Sequence, residues 1–330
     1  MRVLVVMNFA PDEATPQRGR WVVDQVDALR AGGIDVDLFT FPPGKDQYLP
    51  ATREIRRLIR DNEYDLVHAH YGLAGWCARL AGARPLIVTF HGTDVRHPVV
   101  GRMSRRLTKS IDLTGAVSLA LFGPEDGRPG LPKPPGRSAV IPCGADLGRF
   151  TPGSKREARQ RLGMDTDQPF LLFPADPDRP EKRADRAREV AEAAGAELRL
   201  GGSIDPDAMP DWMNAANAVL VTSDYEGFGL ACLEAVACDI PVLSTRVGIA
   251  PHLLDGLDDS LCSDFDVAEW AGAAAGLLAR EDPRASGRGR AEALSARRMA
   301  DRVAIAYEEI LERRAARHIS PALIGNDGTH

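Results

Sequence analysis

Short apolar runs alternate with amphipathic stretches along most of the chain. In the first half the runs fall at residues 3–7, 36–40, 66–68 and 86–90, rich in Val, Leu, Ile and Phe and mostly without a polar face. Such runs predict strands covered on both sides, the condition of a parallel sheet. Between them, residues 20–30, 51–60 and 74–80 carry helical spacing. A Pro/Gly-rich stretch over residues 123–137 interrupts the rhythm, and a short strand is predicted at 139–141. The alternation then restarts, with strands at 170–173, 197–200, 218–221 and 242–244 and helices over 182–194, 210–216 and from Phe228 onward. Strand–helix alternation of this kind predicts two α/β domains, over residues 1–150 and 151–318. Residues 284–317 read as a terminal helix with Met299, Val303, Tyr307 and Ile310 on one apolar face. That helix is a candidate to return to the first domain, and residues 319–330 read as a flexible tail.

The most informative block follows the run at 218–221: Ser223-Asp-Tyr-Glu226-Gly227-Phe228-Gly229-Leu230-Ala-Cys-Leu-Glu234. A strand, a glycine turn and a helix start form an anion-binding arrangement. The first N–H groups of a helix lack internal partners, and glycine lets phosphate oxygens approach them. Glu226 precedes the helix and Glu234 lies along it, so the two acids can hold different hydroxylated parts of one ligand. Leu233, Ala235, Val236 and Ala237 leave Glu234 little solvent face, and an unpartnered buried charge is costly.

Composition narrows the class. With 330 residues the chain is long enough for two cores, and 27% charged against 44% hydrophobic residues marks an ordinary water-compatible surface. A net charge of −6 argues against a nucleic-acid partner. Locally, Arg96, His97, Arg102, Arg105, Arg106 and Lys109 form a basic stretch, which suits either an anionic membrane surface or a solvated helix face. Five scattered cysteines without metal spacing fit a reducing compartment. The expectation is a cytoplasmic protein, at the inner face of the membrane if the basic stretch docks there; no apolar segment approaches a bilayer span.

The block from Glu226 to Glu234, followed by Pro241-Val242, resembles the Glu-x7-Glu segment of retaining GT-B glycosyltransferases, in particular glycosyltransferase family 4 (glycosyl transferases group 1). Val88-Thr89-Phe90-His91-Gly92-Thr93-Asp94, Ile141-Pro142-x-Gly144-x-Asp146-x-x-x-Phe150-x-Pro152 and Asp65-Leu66-Val67-His68-Ala69-His70 are similar to other segments of that family, so the resemblance spans nearly the whole chain. It implies a GT-B fold of two Rossmann-like doubly wound parallel-sheet domains facing a central cleft, with an acceptor-side first domain and a nucleotide-sugar second domain. It implies transfer of a hexose from a nucleoside-diphosphate sugar, UDP- or GDP-linked, to a lipid-linked or small polar acceptor, with no separate cofactor and no essential metal. Glu226 would hold the donor sugar, Glu234 the ribose, and Gly227, Phe228, Gly229 and Leu230 the diphosphate. Lys182 and Arg179, with Arg183 in reserve, would stabilise the leaving diphosphate. His91 would meet the transferred sugar without acting as a general base.

The sequence departs from the family pattern in three places. The glycine-rich loop after the first strand is reduced to Gly19 between Arg18 and Arg20, candidates for the phosphate or acceptor side. A Gly-Arg pair is replaced by Pro174-Ala175-Asp176-Pro177-Asp178-Arg179, and Gly-Gly-x-Pro-Glu by Gly248-Ile249-Ala250-Pro251-His252. His68 and His70 form a His-x-His read as packing or acceptor contact, lacking a third ligand for zinc. Asp35-x-Asp37, Asp176-x-Asp178 and Asp264-x-Asp266 read as turn or surface elements. A sugar-nucleotide epimerase of GT-B fold and a non-catalytic nucleotide-sugar binder remain as alternatives.

Overall fold

The computed structural model describes residues 1–319 apart from 10, 12–14, 16, 125, 126 and 128. The chain divides into two compact units. Unit 1 comprises Met1–Ala10, Val22–Pro142 and Met299–His330; unit 2 comprises Pro11–Trp21 and Cys143–Arg298.

Unit 1 is built on six parallel strands: β1 (Arg2–Met7), β2 (Asp35–Thr40), β3 (Leu66–His70), β4 (Leu86–Phe90), β5 (Leu113–Ala116) and β6 (Ser138–Val140), in the order β2-β1-β3-β4-β5-β6. The crossovers include α1 (Arg20–Ala31), α2 (Tyr48–Asp61), α3 (Gly72–Ala81), α4 (Thr93–Arg96) and α5 (Val100–Leu107). Val3 to Met7 of the interior strand β1 have no exposed surface. In unit 2, α6 (Lys155–Arg161) precedes β7 (Phe170–Phe173), α7 (Ala184–Ala193), β8 (Glu197–Leu200), α8 (Met209–Ala215), β9 (Ala218–Val221), α9 (Leu230–Ala237), β10 (Val242–Ser244), α10 (Ala250–Leu254), β11 (Leu261–Cys262), α11 (Val267–Leu278) and α12 (Arg288–Ala291). Its parallel sheet runs β11-β10-β9-β7-β8. Its core joins Leu171, Phe173, Val190, Leu220, Leu243, Trp270 and Ala274.

Counted from each unit's own first strand, both sheets have the second strand outside the first and the third on its other side. The strand order therefore reverses between β1 and β3 in unit 1 and between β7 and β9 in unit 2. Ligands of open parallel sheets bind at the carboxyl ends of the strands flanking such a reversal. The two α/β domains expected from the apolar rhythm are present.

Several local expectations need correction. The helix expected from residue 182 starts at Ala184, because Arg183 takes a left-handed conformation (φ 57°) after a 3-10 turn at Pro180–Lys182. The helix expected from Phe228 starts at Leu230, since Gly229 (φ 94°) turns the chain first. The terminal stretch is not one helix from residue 284: α12 and a further 3-10 turn precede α13 (Ala296–Ile319). On α13, Met299, Val303, Tyr307 and Ile310 are all buried, as their spacing required. The acid pairs fall on structural elements: Asp37 on β2 binds Arg2 and Tyr64, Asp176 closes a turn onto the Asp178 N–H, and Asp266 caps α11 by accepting from the Glu269 N–H.

Candidate functional site

In unit 2 the loops leaving β7 and β9 meet at the strand-order reversal. The Thr222 hydroxyl donates to the carbonyls of Lys182 and Arg183, and the Asp224 N–H donates to the Glu181 carbonyl at 2.9 Å. Sewn together in this way, the loops place Lys182 Nζ at 2.7 Å from both carboxylate oxygens of Glu226, while the Ser223 hydroxyl donates to Glu226 Oε1 at 2.9 Å. The two charged side chains are only 12% and 13% exposed. A pair this shielded interacts more strongly than one in bulk water.

Gly227, Phe228 and Gly229 carry the chain from Glu226 into α9, and Glu234 lies half-buried in the second turn of that helix. The turn is held from behind. The Ile249 N–H donates to the Phe228 carbonyl at 2.7 Å, and Gly248 (φ 54°) lies so close that a Cβ there would meet the Phe228 oxygen at 2.3 Å. The departure from Gly-Gly at this point thus retains the glycine that the approach demands.

The two arginine candidates are engaged elsewhere. Arg179 is exposed and its guanidinium binds Glu181 at 2.5 Å. Arg183 pairs with Asp185 and Asp224, which holds its guanidinium firmly protonated; Arg186 joins the same group through Asp224. Of the expected cations, Lys182 alone contacts Glu226 among the described contacts. Gly19 takes φ 68°, and the adjacent Gln17 amide donates to the Gly202 carbonyl, tying that turn to the rest of unit 2.

In unit 1 a histidine cluster occupies the carboxyl ends of β3 and β4. His68 and His70 alternate onto one face of β3, and Thr89 and His91 follow the same alternation on its neighbour, with His70 in register with Thr89. His68 is fully buried, with Nδ1 at 2.7 Å from the Tyr307 hydroxyl and Nε2 at 2.8 Å from that of Thr89. His70 Nδ1 lies 2.9 Å from His91 Nε2. The outer nitrogen of His91 is therefore turned onto a buried neighbour. Burial favours the neutral rings. It lowers the His68 and His91 pKa values to about 3 and that of His70 well below its ordinary value.

Two supports of this cluster were not singled out in the sequence. Asp94 accepts from the N–H groups of Gly72, His91 and Gly92, each at 3.0 Å, locking the two strand ends together. Burial raises its pKa to about 6 despite those bonds. Tyr71 stacks on His91 with ring centroids 4.5 Å apart, from a backbone (φ 72°, ψ 148°) that is ordinarily reserved for glycine. The signal for Asp94 was its place three residues after the strand-end histidine. Tyr71, Ser223 and Asp224 carried no comparable signal. Among the described residues no group of three or more His, Cys, Asp or Glu could hold a metal ion.

The family model described as Glycosyltransferase Family 4 matches residues 19–149, and that described as Glycosyl transferases group 1 matches residues 169–280. The D-inositol 3-phosphate glycosyltransferase of Xylanimonas cellulosilytica is 30% identical over 318 residues, covering 77% of this chain and 74% of the relative. D-inositol 3-phosphate glycosyltransferase 2 of Catenulispora acidiphila is 30% identical over 278 residues, of which the match spans 65% of this chain and 62% of the relative's length. Among solved structures, sucrose-phosphate synthase from Thermosynechococcus elongatus superposes with a TM-score of 0.71 at 18% identity, covering 95% of this chain and all of the other. Anabaena HepE, solved with UDP and glucose, gives 0.67 at 17% identity over 93% of this chain and 99% of its own. The chain therefore belongs to glycosyltransferase family 4 and has the GT-B fold, with its two Rossmann-like parallel-sheet domains.

Proposed function

We propose that this protein is a retaining glycosyltransferase that moves a hexose from a uridine-diphosphate sugar to a small phosphorylated polyol, without a metal. The observation that carries the reading is the Lys182–Glu226–Ser223 group at the strand-order reversal of unit 2, beside the glycine turn that opens α9. Anionic and hydroxylated ligands suit that position: backbone N–H groups face a diphosphate, and Glu226 and Glu234 accept from sugar and ribose hydroxyls. The relatives' name, D-inositol 3-phosphate glycosyltransferase, makes inositol 3-phosphate the first acceptor to test. The UDP and UDP-glucose bound to HepE make UDP-glucose the first donor.

In the proposed step, the bond from the anomeric carbon to the diphosphate oxygen breaks, and the acceptor oxygen bonds to that carbon on the same face. The acceptor's proton passes to the departing phosphate oxygen. Lys182, released from Glu226 towards the diphosphate, offsets the charge that develops there, with Arg179, once released from Glu181, as a second cation. No protein nucleophile is used, and His91 meets the sugar as a neutral ring. The peptide N–H groups of Gly227 to Leu230 hold the diphosphate in place.

The same reading places the enzyme against anionic lipid. α5 turns Arg102, Met103 and Arg106 outward, and Val99 beside it is 59% exposed. Cations around apolar side chains suit a charged interface. No described helix is long and apolar enough to cross a membrane.

The deciding experiment is a thermal-shift panel of UDP-, GDP- and ADP-sugars in EDTA, followed by nucleotide release with and without inositol 3-phosphate. We expect UDP-glucose to stabilise the protein and acceptor-dependent UDP release to persist in EDTA. Glu234→Ala should weaken UDP-glucose binding about 10-fold or more through lost ribose hydrogen bonds, whereas His91→Ala should lower kcat more than donor affinity. Unchanged behaviour in both variants would refute the site.

A further inference from the structure

We propose that His70 is a positioning residue that fixes the tautomer of His91: its Nδ1–H donates to His91 Nε2, so that His91 carries its own proton on Nδ1 and presents that edge as a hydrogen-bond donor. That this edge meets the transferred sugar rests on the function proposed above; the tautomer itself does not.

The 2.9 Å contact between His70 Nδ1 and His91 Nε2 holds one proton. If His91 donated, a neutral His70 would carry its proton on Nε2. That atom is buried in a residue 1% exposed, and it has no hydrogen-bond partner among the described residues. An orphaned N–H would result. If His70 donates instead, Nε2 keeps only an unshared lone pair, and buried acceptors are left unsatisfied more often than buried N–H groups. The neighbouring His68 cannot relieve Nε2 because its own two nitrogens are occupied by Tyr307 and Thr89. Its ring instead packs against His70, with centroids 4.4 Å apart.

Burial disfavours the third arrangement, in which either ring gains an extra proton. Tyr71 then closes the other side of His91 and Phe9 lies 5.0 Å beyond it, completing a column of rings from Phe9 to Tyr307. Holding Tyr71 in a glycine-type backbone costs strain that its surroundings must offset. A merely space-filling residue would not require that conformation. Its effect here is to place a ring face on the histidine whose edge His70 holds.

The test is the pattern of ring nitrogen resonances in the full chain labelled with 15N-histidine, with His91→Asn used to assign His91. We expect His91 protonated at Nδ1 in the wild type, and a shift to the Nε2-protonated form in His70→Phe, which keeps the ring volume without a donor. His70→Asn, whose amide can donate from near the position of Nδ1, should retain the wild-type tautomer. Should His70→Phe fail to fold, the wild-type and His70→Asn spectra still decide the matter. An Nε2-protonated His91 in the wild type, or a tautomer unmoved by His70→Phe, overturns the proposal. In parallel, UDP release from UDP-glucose should fall on the order of 10- to 100-fold in kcat in His70→Phe, with KM little changed. A shifted tautomer with unaltered release would uphold the role of His70 and refute instead the contact of His91 with sugar.

Discussion

Lys182 and Glu226 illustrate how far a single pair can be read. Their 2.7 Å contacts and low exposure place them between the surface regime, where ion pairs contribute little, and the deep interior, where desolvation offsets the attraction. Ser223 supplies the one further hydrogen bond described for Glu226. Removing Lys182 therefore leaves a shielded carboxylate with a hydroxyl partner alone. In a double-mutant cycle with Lys182→Ala and Glu226→Ala, urea unfolding should give a coupling of about 1–3 kcal/mol. Saturating UDP-glucose should reduce it, because the proposed mechanism turns the ammonium towards the diphosphate. A coupling within about 0.3 kcal/mol of zero would show that the pair is not maintained in solution. The lysine matched its motif, while Arg179 and Arg183 were candidates for a family arginine whose Gly-Arg setting this chain lacks, and sequence position does not reveal that Glu181, Asp185 and Asp224 already occupy them.

At the level of elements, turns decide where the side chains stand. Gly248 and Gly256 both adopt positive φ, 54° and 61°, yet their surroundings differ. A Cβ at Gly248 would collide with the Phe228 carbonyl and come within 3.0 Å of Glu226 Cβ, whereas none of the surrounding atoms lies within 4 Å at Gly256. Gly248→Ala should therefore cost about 2–5 kcal/mol, strain and overpacking together, and weaken UDP-glucose binding by moving the Glu226 loop. Gly256→Ala carries the backbone penalty only, about 1–2 kcal/mol, and should leave binding unchanged. Equal effects on binding would disprove the link between the glycine and the loop. Strands with continuous apolar runs were legible in the sequence for a related reason: burial on both faces admits few polar residues. β5 was not, since Leu113-Thr114-Gly115-Ala116 dilutes its signal with the glycine that lets it approach Thr89. α6 also escaped notice, because its charged sequence hides Arg159, which is 2% exposed and bonded to the carbonyls of Ala215 and Thr166 and to Asn217. The His70–His91 contact joins residues 21 positions apart through strand register, which no local pattern displays.

Across the whole molecule, acidification should act through unit 1. A histidine whose folded pKa lies below its unfolded value of about 6.5 contributes stability that is fully present above that value and is lost as pH falls towards the folded one. His68 and His91, with folded values of about 3, and His70, also well below its ordinary value, all belong to unit 1 and lose stability together from pH 6.5 downward. Asp94 opposes them. Its folded pKa of about 6 exceeds its unfolded value, so it contributes stability that is present below pH 3.8 and lost as pH rises through 6. Between pH 6.5 and 5 His68 and His91 each remove about 2 kcal/mol and His70 acts in the same direction, whereas Asp94 restores about 1 kcal/mol between pH 6 and 5. Three rings outweigh one carboxyl. Unit 2 lacks a corresponding response in this window among its described buried bases and thiols: Lys155, lowered to about 8, changes stability only above that pH, and the raised Cys143, Cys232 and Cys238 thiols act above pH 9. Urea unfolding at pH 7 and 5 should accordingly show a loss of several kcal/mol, and His68→Gln, which removes one buried imidazole, should lower that loss by about 2 kcal/mol. An identical loss in wild type and variant would mean that His68 takes up a proton in the folded state, and the neutral column of rings around His91 would have to be abandoned.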